Sequence, residues 1–460
     1  KKIYNMSQIT KQNLNGSSCI DIEILNEKLI KPSLPTPNHL HSYKLCFFDQ
    51  LAPNFAVPLL YFYPSAPPEK PELQSAESIH TQLQNSLSET LTKFYPLAGR
   101  LSQDGTSIEC HDQGVIYLEA KVNCQLNEFL DNAYKNSDLV KLFVPPIRIR
   151  TAELPNRPFL AIQATIFQCG GLGLAVQMVH TIGDGFSGCA LTDEWCKVSR
   201  MEKENVRNLQ FRCDLANVFQ PKDNVFEMIK KGRPRGYEMK IVTRIFMFDE
   251  VAISKLKENV NKSLKYSSRV EVVTSLVWRS LMKVVKLRHG KNRPSMLQFA
   301  MNFRGRADPK LVGEDQNFFG NFYLDIPIKC IPSHDNGDLE LHEIVTLIRD
   351  EKNKTLSKIG NASSEEIFSL VIDSINQIKE GYNDDEIDLY PTSSLCRFPL
   401  NESDFGWAKP IWVSRVNVPF QMFFLMDSKN GIEVRVCLNE DDMIQLESDD
   451  DIVEFSYVPK

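Results

Sequence analysis

Leu172-Gly173-Leu174-Ala175-Val176-Gln177-Met178-Val179-His180-Thr181-Ile182-Gly183-Asp184-Gly185 is the stretch on which the fold turns. Leu172, Leu174, Val176 and Met178 recur at period two, the spacing of side chains on one face of a strand, while Ala175 and Val179 keep the opposite face apolar. A strand apolar on both faces belongs in the middle of a covered sheet. At His180 the character changes, and Gly183 and Gly185 signal a turn, so the histidine stands where the strand ends. Strand ends of α/β sheets are where reactive side chains are commonly displayed.

Working outward, Pro158 to Phe167 reads as a neighbouring strand and Cys169-Gly170-Gly171 as the turn between the two. Ile79, Leu83, Leu87, Leu91 and Phe94 make an apolar helix stripe that Pro96 stops, and Pro32-Ser33-Leu34-Pro35-Thr36-Pro37 is an extended lead-in. In the second half, Ile241 to Phe246 reads as a strand, Val270 to Val285 as a helix, and a further strand ends near Asn302-Phe303-Arg304. Ile432 to Leu438 alternates as a strand before an acidic last helix opening at Asn439. Strands and helices interleave throughout, which predicts an α/β protein. Because 460 residues exceed what one core usually serves, two domains are expected. The polar, aperiodic stretch from Arg200 to Lys240 suggests the join, giving domains 1–215 and 241–460 with a linker over 216–240.

Bulk properties exclude several classes. A net charge of -6 with evenly spread charges does not suit a nucleic-acid surface, and the one cationic cluster, Lys230-Lys231-Gly232-Arg233-Pro234-Arg235, is short and interrupted. No apolar run is long enough for a spanning helix, and Lys1 to Gln8 lacks a secretory signal; Met6 reads as a possible start after a short foreign remnant. Eleven cysteines without a CxxC pair suggest neither a zinc site nor a disulfide framework, and a reducing cytosol is expected.

The chemistry centres on His180. An imidazole titrating near neutrality suits a general base that takes a proton from an alcohol attacking a carbonyl, yet on periodicity alone a structural histidine is the commoner case. Asp184 would either orient the ring or tie down the turn. Three rival readings use the same residues. Gly183-Asp184-Gly185-Phe186-Ser187-Gly188 fits the dinucleotide fingerprint, but Asp184 would place an anion beside a pyrophosphate and no second strand follows. The other histidines, at 39, 41, 80, 111, 289, 334 and 342, make no ligand set, so no metal is expected. Ser187 or Cys189 beside His180 would make a hydrolase, although neither lies in a nucleophile elbow.

His180-Thr181-Ile182-Gly183-Asp184-Gly185 resembles the HxxxDG motif of the plant BAHD acyltransferases, and Asp404-Phe405-Gly406-Trp407-Ala408 resembles their DFGWG motif. Phe94 to Arg100, Asn302-Phe303-Arg304-Gly305-Arg306, Phe319-Gly320-Asn321 and Ser394-Leu395-Cys396-Arg397 extend the likeness along nearly the whole chain. The resemblance implies two chloramphenicol-acetyltransferase-like domains, each a mixed β-sheet with flanking helices, and a solvent channel between them. It implies acyl-CoA as co-substrate, acetyl-CoA or malonyl-CoA, with no permanently bound cofactor, and an alcohol acceptor such as an alkaloid. Catalytic roles fall on His180 and Asp184, with Asp184 paired to Arg304 rather than to the imidazole. Asp404, Gly406 and Trp407 support the site, and Ser275, Asn302, Asn321 and Phe405 are candidates for the coenzyme side. A monomer is expected, with neither nucleic acid nor membrane as partner. Ala408 departs from the final glycine, which would strain the turn if that position needed a positive φ. Asn317 to Phe322 and Leu395 also depart from the pattern of enzymes that acylate flavonoid glycosides. A relative that has lost catalysis but binds through the same channel is the non-enzymatic alternative.

Overall fold

The computed structural model of the chain describes residues 10–14, 18–53, 55–146, 157–201, 211–228, 240–331 and 339–459; the cationic stretch 230–235 and residues 1–5 fall outside them. The described chain forms two compact units. Unit 1 holds residues up to 223 together with 317–321 and 398–416, and unit 2 holds 224–316, 322–397 and 417–460. Each unit is a mixed sheet with helices, so the chain is an α/β protein.

Among the described residues unit 1 carries a small three-stranded sheet, Ser42–Lys44, Ser107–Glu109 and Arg100–Leu101, and a seven-stranded sheet in the spatial order Thr10–Leu14, Ser18–Ile30, Val115–Val122, Leu160–Ile166, Leu172–Val179, Ala56–Tyr63 and Trp412–Arg415. All neighbours are antiparallel except Val115–Val122 with Leu160–Ile166. The Leu172–Val179 strand is buried at every position, as its doubly apolar pattern predicts. It runs between Leu160–Ile166, where Ile162 faces Val176, and Ala56–Tyr63, where Leu60 faces Ala175. The outermost strand, Trp412–Arg415, comes from the far end of the chain and pairs Trp412 with Phe62. The two rings stack with centroids 5.4 Å apart.

The Ala76–Lys93 helix buries Ile79, Leu83, Leu87 and Leu91, and Ser75 caps it by accepting from the Ser78 amide at 3.0 Å. It packs against the Gly185–Ser199 helix that follows the His180 turn, where Trp195 donates to the Leu83 carbonyl at 3.1 Å. That contact steadies the helix whose first turn lies beside the histidine.

Unit 2 has six strands ordered Ile241–Asp249, Gly431–Asn439, Met422–Ser428, Asp388–Ser394, Ser295–Asn302 and Tyr323–Cys330. Its longest helix, Arg269–His289, starts in a capping box of Ser268 and Glu271 and ends at Gly290, whose φ of 68° is the left-handed stop that glycine allows. Among the described residues no helix is long and apolar enough to cross a membrane, and no group of histidine, cysteine and carboxylate side chains is placed to hold a metal.

Candidate active site

The Leu172–Val179 strand delivers His180 onto a single 3-10 turn, His180–Ile182, which the next helix continues from Gly185. The His180 main chain is held by its amide, which donates to the Phe55 carbonyl at 3.0 Å. Its Nδ1 lies 3.1 Å from Oδ1 of Asn321. Burial pushes the imidazole pKa below its ordinary value, against the raising influence of the Asp184 carboxylate and of the ring's hydrogen bonds; Arg415 adds to the lowering. The ring is therefore held toward its neutral form, the form able to accept a proton.

Asp184 is the N-cap of the Gly185–Ser199 helix: its Oδ1 accepts from the Ser187 amide at 3.0 Å and lies 3.2 Å from the Ser187 hydroxyl. A carboxylate already seated on the helix N-terminus is what a pyrophosphate would have to displace, so the glycine fingerprint at 183–188 has no free anion cradle. The Leu172–Val179 strand also has only antiparallel neighbours, not the parallel partner of a βαβ unit. Nor is Ser187 a nucleophile in waiting. Its buried hydroxyl donates to the Gly320 carbonyl at 2.8 Å and accepts from the Gly320 amide at 3.1 Å. Cys189 is buried, and burial pushes its thiol pKa far up, away from the reactive thiolate.

Residues 317–321 bring Asn321 into unit 1. Its Nδ2 donates to Asp49 Oδ1 at 3.0 Å, to the His180 carbonyl at 2.8 Å and, at a longer 3.3 Å, to the Thr181 carbonyl. The Asn321 amide also donates to Asp49 Oδ1, at 2.8 Å. Asn321, read from sequence as a coenzyme contact, thus spends its side chain on the histidine turn. Gly320 before it has φ 114°, and a Cβ there would meet the Tyr43 hydroxyl at 3.1 Å and Asp49 Oδ1 at 3.3 Å. Asp49, 1% exposed, is not among the site candidates that the sequence suggested; it lies three positions after Cys46 in an apolar helix, Phe47–Leu51.

The Asp404-Phe405-Gly406-Trp407 segment is a structural joint in unit 1. Asp404 Oδ1 accepts from the Gly406 amide at 2.7 Å, the Phe405 carbonyl accepts from Gln82 and Ser199 at 2.7 Å each, and Arg200 bonds the Asp404 carbonyl. Phe405 is buried against Trp195, and Trp407 stacks on Phe405. The left-handed residue of this turn is Gly406, with φ 113°, whereas Ala408 is absent from the positive-φ residues. The strain expected of Ala408 is therefore not incurred.

Three site candidates lie in unit 2. Asn302 Oδ1 accepts from the Arg304 amide at 3.0 Å and from its guanidinium at 3.2 Å, and Ser275 is buried on the Arg269–His289 helix with no partner for its hydroxyl among the described residues. The expected Asp184 to Arg304 pair joins residues of different units.

A turn-borne histidine held toward its neutral form suits general-base chemistry, and the comparisons with known proteins supply the class, the acyltransferases. The "Transferase family" model matches residues 20–452, and the chain belongs to that family, the BAHD acyltransferases. Acetyl-CoA-benzylalcohol acetyltransferase of Clarkia breweri is 32% identical over 95% of this chain and 100% of its own length. Salutaridinol 7-O-acetyltransferase of Papaver somniferum is 28% identical over 93% of this chain and 96% of its own. The crystal structure of vinorine synthase superposes with a TM-score of 0.77 at 26% identity, covering 95% of this chain and 99% of that one. The chain is an acyl-CoA-dependent acyltransferase.

Proposed function

We propose that the chain transfers an acetyl group from acetyl-CoA to a hydroxyl of a plant specialised metabolite, an alkaloid or a related bulky alcohol, in the cytosol and as a monomer. The observation that carries the reading is a histidine at the end of a buried strand, held neutral by burial while Asn321 and the Phe55 carbonyl fix its place. His180 takes the hydroxyl proton as the oxygen attacks the thioester carbonyl. The tetrahedral intermediate then collapses, the carbon–sulfur bond breaks, and the proton passes from His180 to the departing thiolate, so free coenzyme A and the ester leave together. No acyl-enzyme is formed, which agrees with the occupied Ser187 hydroxyl and the suppressed Cys189 thiolate. Asp184 acts on the turn rather than on the proton, as cap of the Gly185–Ser199 helix and as partner of Arg304. Ser275 and Asn302 face the coenzyme in this reading, and Asp404 to Trp407 hold the helices behind the histidine. Acetyl is favoured over malonyl because both curated relatives named above are acetyltransferases.

The test is thiol release from acetyl-CoA and malonyl-CoA against a panel of alkaloid and benzylic alcohols, with the intact protein and with His180→Ala. Transfer from acetyl-CoA that drops by on the order of 10²-fold or more in a folded His180→Ala variant supports the reading. Turnover that survives the substitution sinks His180 as base.

A further inference from the structure

We propose that Asp49, acting through Asn321, is a positioning residue that fixes the tautomer of His180, placing the proton on Nδ1 and leaving Nε2 as the base. The inference rests on the acyl-transfer reading only for what Nε2 does next.

The argument is one of hydrogen-bond satisfaction. An asparagine amide can be placed either way round, and its neighbours decide. Nδ2 of Asn321 faces three oxygens, Asp49 Oδ1 and the carbonyls of His180 and Thr181. Carbonyls cannot donate, so only the NH2 group satisfies this side; the reversed amide would set oxygen against oxygen at all three contacts. Oδ1 must then face His180, 3.1 Å from Nδ1, and an acceptor there requires Nδ1 to carry the hydrogen. In a neutral ring the lone pair is consequently on Nε2.

Asp49 locks this chain of assignments. Oδ1 accepts from the Asn321 amide and Nδ2, and Oδ2 accepts from the Cys46 amide at 3.0 Å and its thiol at 3.1 Å, four donors on a carboxylate 1% exposed. These donors favour the acceptor-only, ionised form, opposing burial, which raises the carboxyl pKa. The Asn321 side chain is fully buried and cannot swing away. A free imidazole in water prefers hydrogen on Nε2, so the protein must impose the other form, and Asn321 Oδ1 is an acceptor that favours it, beside the ring's hydrogen bond to the His180 main chain.

The experiment reads the proton directly. In the full-length chain labelled with 15N-histidine, two-bond proton–nitrogen spectra distinguish the neutral tautomers, and the His180 signal is identified by its loss in His180→Gln. A pyrrole-type Nδ1 with a pyridine-type Nε2 is expected; the reverse pattern overturns the proposal without any variant. Asn321→Ala should move the signal toward the Nε2–H form and lower kcat on the order of 10- to 100-fold, with KM for acetyl-CoA within about threefold. If Asp49 acts through Asn321, the double variant Asp49→Asn with Asn321→Ala is no slower than Asn321→Ala alone, within about twofold; penalties that multiply overturn the relay. Should Asp49→Asn not fold, the spectrum of the intact protein still decides. A silent transfer assay beside an Nδ1–H ring would defeat the reaction reading and leave the positioning pair standing.

Discussion

His180 is tuned by opposed charges, and its pH dependence follows in sign. Burial and Arg415 disfavour the imidazolium, so its folded pKa lies below the ordinary value of about 6.5. The base is neutral above that value, and kcat/KM should fall as pH drops through the lowered pKa. Arg415→Gln removes a cation that lowers the pKa, so the acid limb of the profile should move to higher pH. Asp184→Asn removes an anion that raises it and should move the limb the other way. Asparagine can still accept from the Ser187 amide, so the helix cap survives the substitution. A limb that stays put in both variants would show that His180 does not govern the profile.

Single turns govern the next scale. Gly320→Ala forces a φ of 114° on an L side chain and sets its methyl against Tyr43 and Asp49, so about 1–3 kcal/mol of stability should be lost, with Asn321 displaced from the histidine. Activity should fall together with the melting temperature. By contrast, Ala408→Gly should leave kcat unchanged and shift stability by no more than about 1 kcal/mol, because position 408 needs no left-handed backbone. These elements also show what a sequence discloses. Ile79, Leu83, Leu87 and Leu91 announced their helix because period 3.6 is a local property, and the strand before His180 announced itself by period two. The capping box at Ser268 and Glu271 is local as well. Asp49 drew no site role because a carboxylate near a helix start reads as a cap. Its partner Asn321 is 272 residues away, and no spacing rule spans that distance. Asn321 itself stood out only through the family likeness of Phe319-Gly320-Asn321, which does not say what the amide touches.

At the scale of the molecule, unit 1 is discontinuous, and this could not be read from composition. The segments 317–321 and 398–416 carry no compositional break; among their ties to unit 1 are the Asn321 side chain, the Gly320 backbone on Ser187, the Phe405 carbonyl on Gln82 and Ser199, and one strand ladder. A fragment ending at residue 223 therefore lacks Asn321, the Phe405 and Trp407 joint, and an edge strand. It should expose apolar surface, bind a hydrophobic dye and resist neither protease nor heat, whereas two independent halves would each fold. In the whole chain, Trp412→Ala removes the ring stacked on Phe62 and should cost about 3–5 kcal/mol, measured by denaturant unfolding.

The late arrival of Trp412–Arg415 also bears on how the protein is made. Leu59 to Phe62 pair with this strand on one side and with Leu172–Val179 on the other. On the ribosome, Leu172–Val179 is present long before Trp412–Arg415. At about 5–20 residues per second, the outer edge of a strand reading Leu-Leu-Tyr-Phe-Tyr waits tens of seconds for its cover. During that interval it is an open template for a neighbouring nascent chain. Yield in a heterologous host should accordingly depend more on chaperone supply and slow, cool expression than the finished fold would suggest.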